Sequence, residues 1–341
     1  MGHTAYAARG ACGADVVRLA YRERMTGDPS SPALPEAQHP SAAQHSSEAQ
    51  HSAAARTLPT LSPSRAADFK TCPLLYRLRS IDRLPEQPTA DQARGTLVHA
   101  VLERLFDLPA GQRTLTQAHD LVDPSWAALL AEQPELASLE IGDDFLTSAA
   151  DLLGGYFEME DPSRLEPAER ETLIEAVLDD ELLIRGYIDR LDVSPAGDLR
   201  VVDYKTGGAP REAFEARALF QLKFYALVLM RTRGVVPRVL RLVYLKDREI
   251  CDYTPDAVEL ERFEKTIVAL WRAIEQAALA RDFRPKPSKL CGWCAHQALC
   301  PSFGGTPPPY PVDSAVTAAV DARTARLAAQ AKAAEDAATV G

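Results

Sequence analysis

The chain has 341 residues, 46% of them hydrophobic, and a formal net charge of −10. That is ample apolar material for one large domain or two, while no apolar run approaches the roughly 20 residues needed to span a bilayer and no compact apolar signal region opens the chain. A cytoplasmic protein with no membrane partner is the default, and the negative charge argues weakly against nucleic acid, although Arg56 to Arg83 hold six cations against Asp68 and Asp82, and Arg281, Arg284, Lys286 and Lys289 cluster before the last cysteines.

Residues 1–56 are rich in Ala, Ser, Pro and Gln and read as a disordered tail. His39, His45 and His51 recur there at a spacing of six, which low-complexity drift explains better than metal binding. Cys12 receives no role. Order begins at Leu61-Ser62-Pro63-Ser64, a serine cap with proline at the first helical position. That predicts one helix continuing from Arg65 to Arg79 with Cys72 inside it. Ala90 to Leu108 is a second helix, with Leu97, Val101, Leu105 and Leu108 on a buried stripe and His99 and Glu103 sharing another face. From about Leu115 to Phe157 the pattern is helical and acidic, broken at Pro134 and near Gly142, which predicts a helical insert.

Three strands follow: Thr172 to Leu178, a turn at Asp179-Asp180, Leu182 to Val193, a turn at Ser194 to Asp198, and Leu199 to Tyr204. Arg211 to Arg231 is a helix that carries Gln221 and Tyr225 on one face. Val239 to Lys246 and Glu249 to Tyr253 are strands, and Pro255 to Arg281 is a long helix. The folded domain therefore runs 57–303 with a core order α-β-β-β-α-β, and 304–341 is a Pro/Ala-rich tail, a loose helix or disordered. There is no Gly-x-x-x-x-Gly-Lys-Ser/Thr, so no NTP-driven motor is read here.

Two constellations carry chemistry. Asp189 and Asp203 lie near the ends of adjacent strands, and Lys205 is two residues further along the same face, so two carboxylates and an ammonium can meet. Carboxylates are the hard ligands that Mg²⁺ prefers, and a lysine beside them can orient water and offset phosphate charge. A solvated hairpin is the competing reading. The second constellation is Cys291-Gly-Trp-Cys294-Ala-His-Gln-Ala-Leu-Cys300: three thiolates at spacings that suit an iron-sulfur cluster or zinc. They require a fourth ligand, His296 or the distant Cys72, and the Cys72-Pro73 pair on an arginine-bearing helix favours Cys72. Cys251, isolated on a strand, reads as filler.

With Ser64-Arg65, Cys72-Pro73, Gly95-Thr-Leu-Val-His99, Gly186-Tyr-Ile-Asp189-Arg190, Val202-Asp203-Tyr204-Lys205-Thr206-Gly207, Gln221-x-x-x-Tyr225 and the cysteine triplet in this order, residues 61–303 resemble the RecB-type exonucleases of the PD-(D/E)XK superfamily. The resemblance is to their stand-alone iron-sulfur members, akin to the CRISPR-associated adaptation nucleases. It implies a restriction-endonuclease-like α/β core, a mixed sheet flanked by helices with a helical insert and a four-cysteine clasp. It further implies that His99, Asp189, Asp203 and the Tyr204 carbonyl ligate Mg²⁺ or Mn²⁺. Lys205 would be the catalytic lysine, with Gln221 and Tyr225 beside the active site and linked to the DNA. Cys72, Cys291, Cys294 and Cys300 would hold a [4Fe-4S] cluster, with zinc as the alternative. Glu175 occupies the place of an accessory carboxylate. The expected activity is a metal-dependent DNase, exonucleolytic, in DNA repair or recombination, acting on single-stranded DNA or a free end, with a helicase partner supplying the missing motor. Arg65, Arg77 and Arg79 would hold the DNA backbone. The alternatives are a non-catalytic iron-sulfur or zinc DNA-binding subunit of a helicase-nuclease complex, and a zinc-clasped adaptor that binds no nucleic acid.

Overall fold

A computed structural model describes residues 58–179, 181–209, 212–311 and 315–340. The expected disordered tail, residues 1–56, lies outside the described residues. Strand β1 is Thr60–Leu61, and Ser62 caps helix α1, Pro63–Thr71, by accepting the Arg65 N–H at 3.3 Å. The single helix expected over Arg65–Arg79 is divided at Cys72, whose backbone is extended (φ −159°, ψ 116°), before α2 resumes at Pro73–Tyr76 and ends in a π-turn at Arg77–Ile81. Proline 73 is the reason: its ring clashes with a helical residue before it. Helix α3, Ala90–Leu105, starts in a capping box between Thr89 and Gln92 and buries Leu97, Val101 and Leu105.

Residues 115–159 form α4 (Leu115–Asp120), α5 (Val122–Glu132), a 3₁₀ turn at Pro134–Ser138 and α6 (Phe145–Met159). Then come β2 (Glu169–Leu178), β3 (Leu182–Val193), β4 (Leu199–Lys205), α7 (Glu212–Arg233), β5 (Val239–Tyr244), β6 (Glu249–Tyr253), α8 (Ala257–Leu279) and α9 (Ala315–Val340). The C-terminal segment, expected as a loose helix or a disordered tail, is helical over Ala315–Val340. Val320 of α9 is buried in the main core, and Arg323 Nε donates to Glu181 at 2.7 Å, so this helix docks on the domain.

The strands form one mixed sheet in the order β1-β3-β4-β5-β6, with β2 on the other edge of β3. Antiparallel pairing of β2 with β3 runs from Leu178↔Leu182 at the hairpin to Glu169↔Leu191. On its opposite edge β3 meets two partners. Its start runs parallel to β1 (Leu61↔Ile184), and its end runs antiparallel to β4 (Arg190↔Val202 to Val193↔Leu199). Between Ile184 and Arg190 that edge is paired with neither. β4 then runs parallel to β5, the two joined by the crossover helix α7.

One face of the sheet packs Ile184, Ile188, Leu191, Val201 and Leu242 against α1, α7 and α8. The other packs Val202, Tyr204 and Val243 against α3 and the insert helices. Complete burial of each such side chain contributes about 1.5–3 kcal/mol, so the two layers clamp the gap in the β3 edge from both sides.

Candidate active site at the fork between β3 and β4

The β3–β4 ladder closes at Arg190↔Val202, so Asp189 and Asp203 are the next opposed residues, at the point where the two strands part. Asp189 Oδ2 accepts the Tyr204 N–H at 2.7 Å, which ties the fork together. Helix α3 crosses above it. His99 Nδ1 lies 3.5 Å from Asp189 Oδ2 and 3.6 Å from Glu171 Oε1, and its Nε2 lies 3.0 Å from the Tyr204 carbonyl oxygen.

Asp203 is fully buried, with Oδ2 2.5 Å from Lys205 Nζ, as expected for residues i and i+2 on one face of a strand. Lys205 Nζ also donates to Gln221 Oε1 at 3.0 Å, and Gln221 Nε2 donates to the Tyr225 hydroxyl at 2.9 Å. One turn of α7 separates Gln221 from Tyr225, and the two form a relay that fixes the ammonium.

Charge accumulates here faster than it is balanced. Burial and the neighbouring Asp203 hold the Asp189 carboxyl well above the usual carboxylate range, against the pull of His99 and Lys205. Burial alone would lower the His99 imidazole, but Asp189, Glu171 and Asp203 together lift it above its ordinary value. Besides burial, the carboxylates of Asp189, Glu171 and Asp203 contribute to both shifts, and a divalent cation would relieve their mutual repulsion. Among the described residues, His99, Glu171 and Asp189 form a group whose ligand atoms all lie within 4.8 Å of one another. Carboxylate oxygens with one imidazole fit Mg²⁺ or Mn²⁺.

The structure thus gathers His99, Asp189, Asp203, Lys205, Gln221 and Tyr225 in one place. The Tyr204 carbonyl faces the His99 ring, while the Tyr204 hydroxyl accepts from Arg190 at 2.6 Å on the far side of the sheet. Asp203 stands outside the tightest group, engaged by Lys205. Glu175 is corrected: it is exposed and pairs with Arg185 at 3.3 Å. The carboxylate that reaches the site from β2 is Glu171, four residues earlier. Counting back from the hairpin closure Leu178↔Leu182 puts Glu171 opposite Asp189, so the register was available in the sequence. What was not available is its backbone, bent to φ 43°, a left-handed conformation uncommon for any residue but glycine.

The arginines expected to hold DNA have partners within the domain, and of the three only Arg77 is buried. Arg65 donates to Thr60 Oγ1 at 2.9 Å, the buried Arg77 pairs with Asp82 at 3.0 Å, and Arg79 pairs with Asp68 and Glu86, both at 2.8 Å. The cysteines fare differently. Cys72, Cys291, Cys294 and Cys300 line one cavity of about 360 Å³ between α1–α2 and the C-terminal turns. Cys72 Sγ accepts the Lys286 N–H at 3.4 Å and Cys291 Sγ accepts the Ser288 N–H at 3.3 Å. His296 is buried beside them with Nε2 2.7 Å from Glu86 Oε1, an ion-pair distance that occupies it elsewhere. Cys251 is half-buried on β6 and is not among the residues that line that cavity.

A sequence profile of the PD-(D/E)XK nuclease superfamily matches residues 60–301. The chain belongs to this superfamily. Two curated relatives are the gene 69 proteins of Mycobacterium phages D29 and L5. The first is 27% identical over 273 residues and the second 26% over 298, each across 72% of this chain and 98% and 97% of the phage proteins. Among solved structures, a Eubacterium rectale protein provisionally named an exonuclease aligns over 70% of this chain and 87% of its own, with 11% identity and a TM-score of 0.47. No described helix is long and apolar enough to cross a membrane. The chain thus brings a cluster of acidic side chains and one imidazole together where two strands of a mixed α/β sheet part.

Proposed function

We propose that the protein is a divalent-metal-dependent deoxyribonuclease of the RecB type that hydrolyses phosphodiester bonds from a free DNA end, in repair or recombination, beside a helicase that supplies unwinding. The observation that carries this reading is the opposition of Asp189 and Asp203 at the β3–β4 fork, with His99, Glu171 and Lys205 around them.

His99, Glu171 and Asp189 would hold the cation, with Asp203 adjoining. When bound, Mg²⁺ or Mn²⁺ supplies Lewis-acid polarisation of the scissile phosphate and acidifies a water molecule. Lys205 neutralises charge that builds on the phosphate oxygens and orients the attacking water. Gln221 keeps the ammonium aimed, because its amide accepts from Nζ on one side and donates to Tyr225 on the other. Asp203 pairs with Lys205 across 2.5 Å on the same strand face.

Cys72, Cys291, Cys294 and Cys300, lining one cavity, are read as the ligands of a [4Fe-4S] cluster, with zinc as the alternative. Backbone N–H groups aimed at Cys72 and Cys291 favour thiolates. Such a site would be structural, joining α1–α2 to the C-terminal turns.

The test is degradation of end-labelled single-stranded DNA with Mg²⁺ or Mn²⁺ by anaerobically purified protein. Asp203→Ala and Lys205→Ala are expected to lose on the order of 100-fold or more in rate while folding normally. A wild type that binds DNA but cuts none with either metal would leave the non-catalytic binding subunit as the correct reading.

A further inference from the structure

Arg77 is buried and Arg79 is paired with two carboxylates, and a denser set of exposed cations lies elsewhere on the surface. Residues 281–305 carry Arg281, Arg284, Lys286 and Lys289, all exposed, against one acid, Asp282, in a chain of net charge −10. Within the same segment Trp293 is 83% exposed and Phe303 53%. The other tryptophans, Trp126 and Trp271, are buried in the two cores. An indole and a phenyl ring left in water among lysines are unusual for a surface with no partner.

The patch is also anchored. Trp293, Phe303 and Lys286 line the cavity that the four cysteines share, and Lys286 Nζ donates to the Lys70 carbonyl at 3.1 Å. Gln92 lines the same cavity and stands in the first turn of α3. His99 follows seven residues later, about 10 Å along the helix axis. A strand lying on the patch is therefore within a few nucleotides of the acidic fork.

We infer that Trp293 and Phe303 form a stacking platform for unpaired bases of a single-stranded DNA substrate, with Lys286 and Lys289 neutralising its phosphates and Arg284, exposed and paired with Asp282 at 2.7 Å, beside them. Aromatic faces interleaved with cations are what a strand without base pairing recognises, since every base has a π-face to offer and a duplex hides its own. The charge of the segment favours a polyanion over a protein partner. The inference rests on the nuclease reading and names the strand state of its substrate.

The test is fluorescence anisotropy of labelled oligothymidine and of a duplex of matched length, with Ca²⁺ in place of Mg²⁺, on the full chain. Parallel cleavage assays of the wild type use Mn²⁺. Trp293→Ala is expected to weaken single-strand binding by on the order of 10- to 100-fold and to leave duplex binding nearly unchanged, and Trp293→Phe to restore most of it. Lys289→Ala should reduce the slope of log affinity against log salt by about 0.7. Because Trp293 is exposed, its variants should melt with the wild type. Trp293→Ala binding like wild type overturns the platform and leaves the patch to a protein partner. Equal losses on both DNAs reduce it to a backbone clamp and also overturn it. Either result, with wild-type cleavage intact, leaves the nuclease reading standing; binding through Trp293 with no cleavage does the reverse, and neither binding nor cleavage sinks both.

Discussion

Gly186 lies directly under the ring of Tyr225: a Cβ at position 186 would stand 2.6 Å from Tyr225 Cε1. The unpaired stretch of the β3 edge is thus closed over by α7, and glycine is what permits the approach. From Tyr225 the contact continues through Gln221 to Lys205 and ends at Asp203, so the backbone of β3 positions a lysine on β4 through a helix. Gly186→Ala is expected to cost about 1–3 kcal/mol from overpacking and to lower kcat by roughly tenfold or more through a displaced Lys205. Tyr225→Phe, which removes the hydroxyl but not the ring, should lower kcat with little change in melting temperature. Normal kcat in both variants would dissolve the relay.

Glu171 combines a left-handed backbone with a carboxylate in the candidate metal group. Non-glycine residues in this conformation carry about 1–3 kcal/mol of strain, tolerated where the side chain is needed. Glu171→Gly should therefore raise stability to chemical denaturation by about 1 kcal/mol while weakening Mn²⁺ binding by at least about tenfold, read by calorimetry. Glu171→Gln should lose affinity without the gain in stability. Unchanged Mn²⁺ affinity in both would remove Glu171 from the site.

The cysteines give a prediction with a visible readout. Anaerobically purified wild type is expected to be brown, and Cys72→Ser and Cys300→Ser to lose that absorbance together with several degrees of melting temperature. Cys251→Ser, on the sheet and outside the cavity lining, should keep both. A colourless wild type containing stoichiometric zinc would replace iron as the metal.

Much of this was legible because the hairpin β2–β3 and the strand β4 alternate cleanly, and because Asp203-x-Lys205 places its two charges on one strand face whatever surrounds it. Gln221 and Tyr225 were legible for the same reason, being one helical turn apart. What was not legible has a common cause in long-range context. Nothing local says that Arg77 will find Asp82 and Arg79 will find Glu86, so a run of arginines read as a DNA clamp. The Ala-rich C-terminal segment has little amphipathic pattern of its own, and it docks through Val320 and the pairing of Arg323 with Glu181. Glu171 lies just outside the strand expected from Thr172, so Glu175 alone reads as the accessory carboxylate, although regular alternation puts both on one strand face.

On the reverse side of the sheet, Arg190, next in sequence to Asp189, is buried with Glu160 at the end of α6. Its Nη1 donates to Glu160 Oε2 at 2.7 Å, and Arg241 reaches Glu160 Oε1 at 3.1 Å. Burial would raise the Glu160 carboxyl, but Arg190 and Arg241 hold it down to about 2, against an ordinary 4.5. A depressed carboxyl contributes stability that is fully present above the unfolded value and is lost as pH falls through the folded one. At about 1.4 kcal/mol per pH unit the contribution is about 3 kcal/mol, present above pH 4.5 and gone near pH 2. Glu160→Gln should destabilise the domain by about 3–5 kcal/mol at pH 7, because the buried Arg190, still paired with Asp192, and Arg241 lose the carboxylate they share. Urea midpoints measured from pH 6 to pH 2 should then fall less steeply in the variant than in the wild type. Parallel curves would mean that Glu160 titrates normally and that the clamp between the insert and the catalytic strand is not ionic.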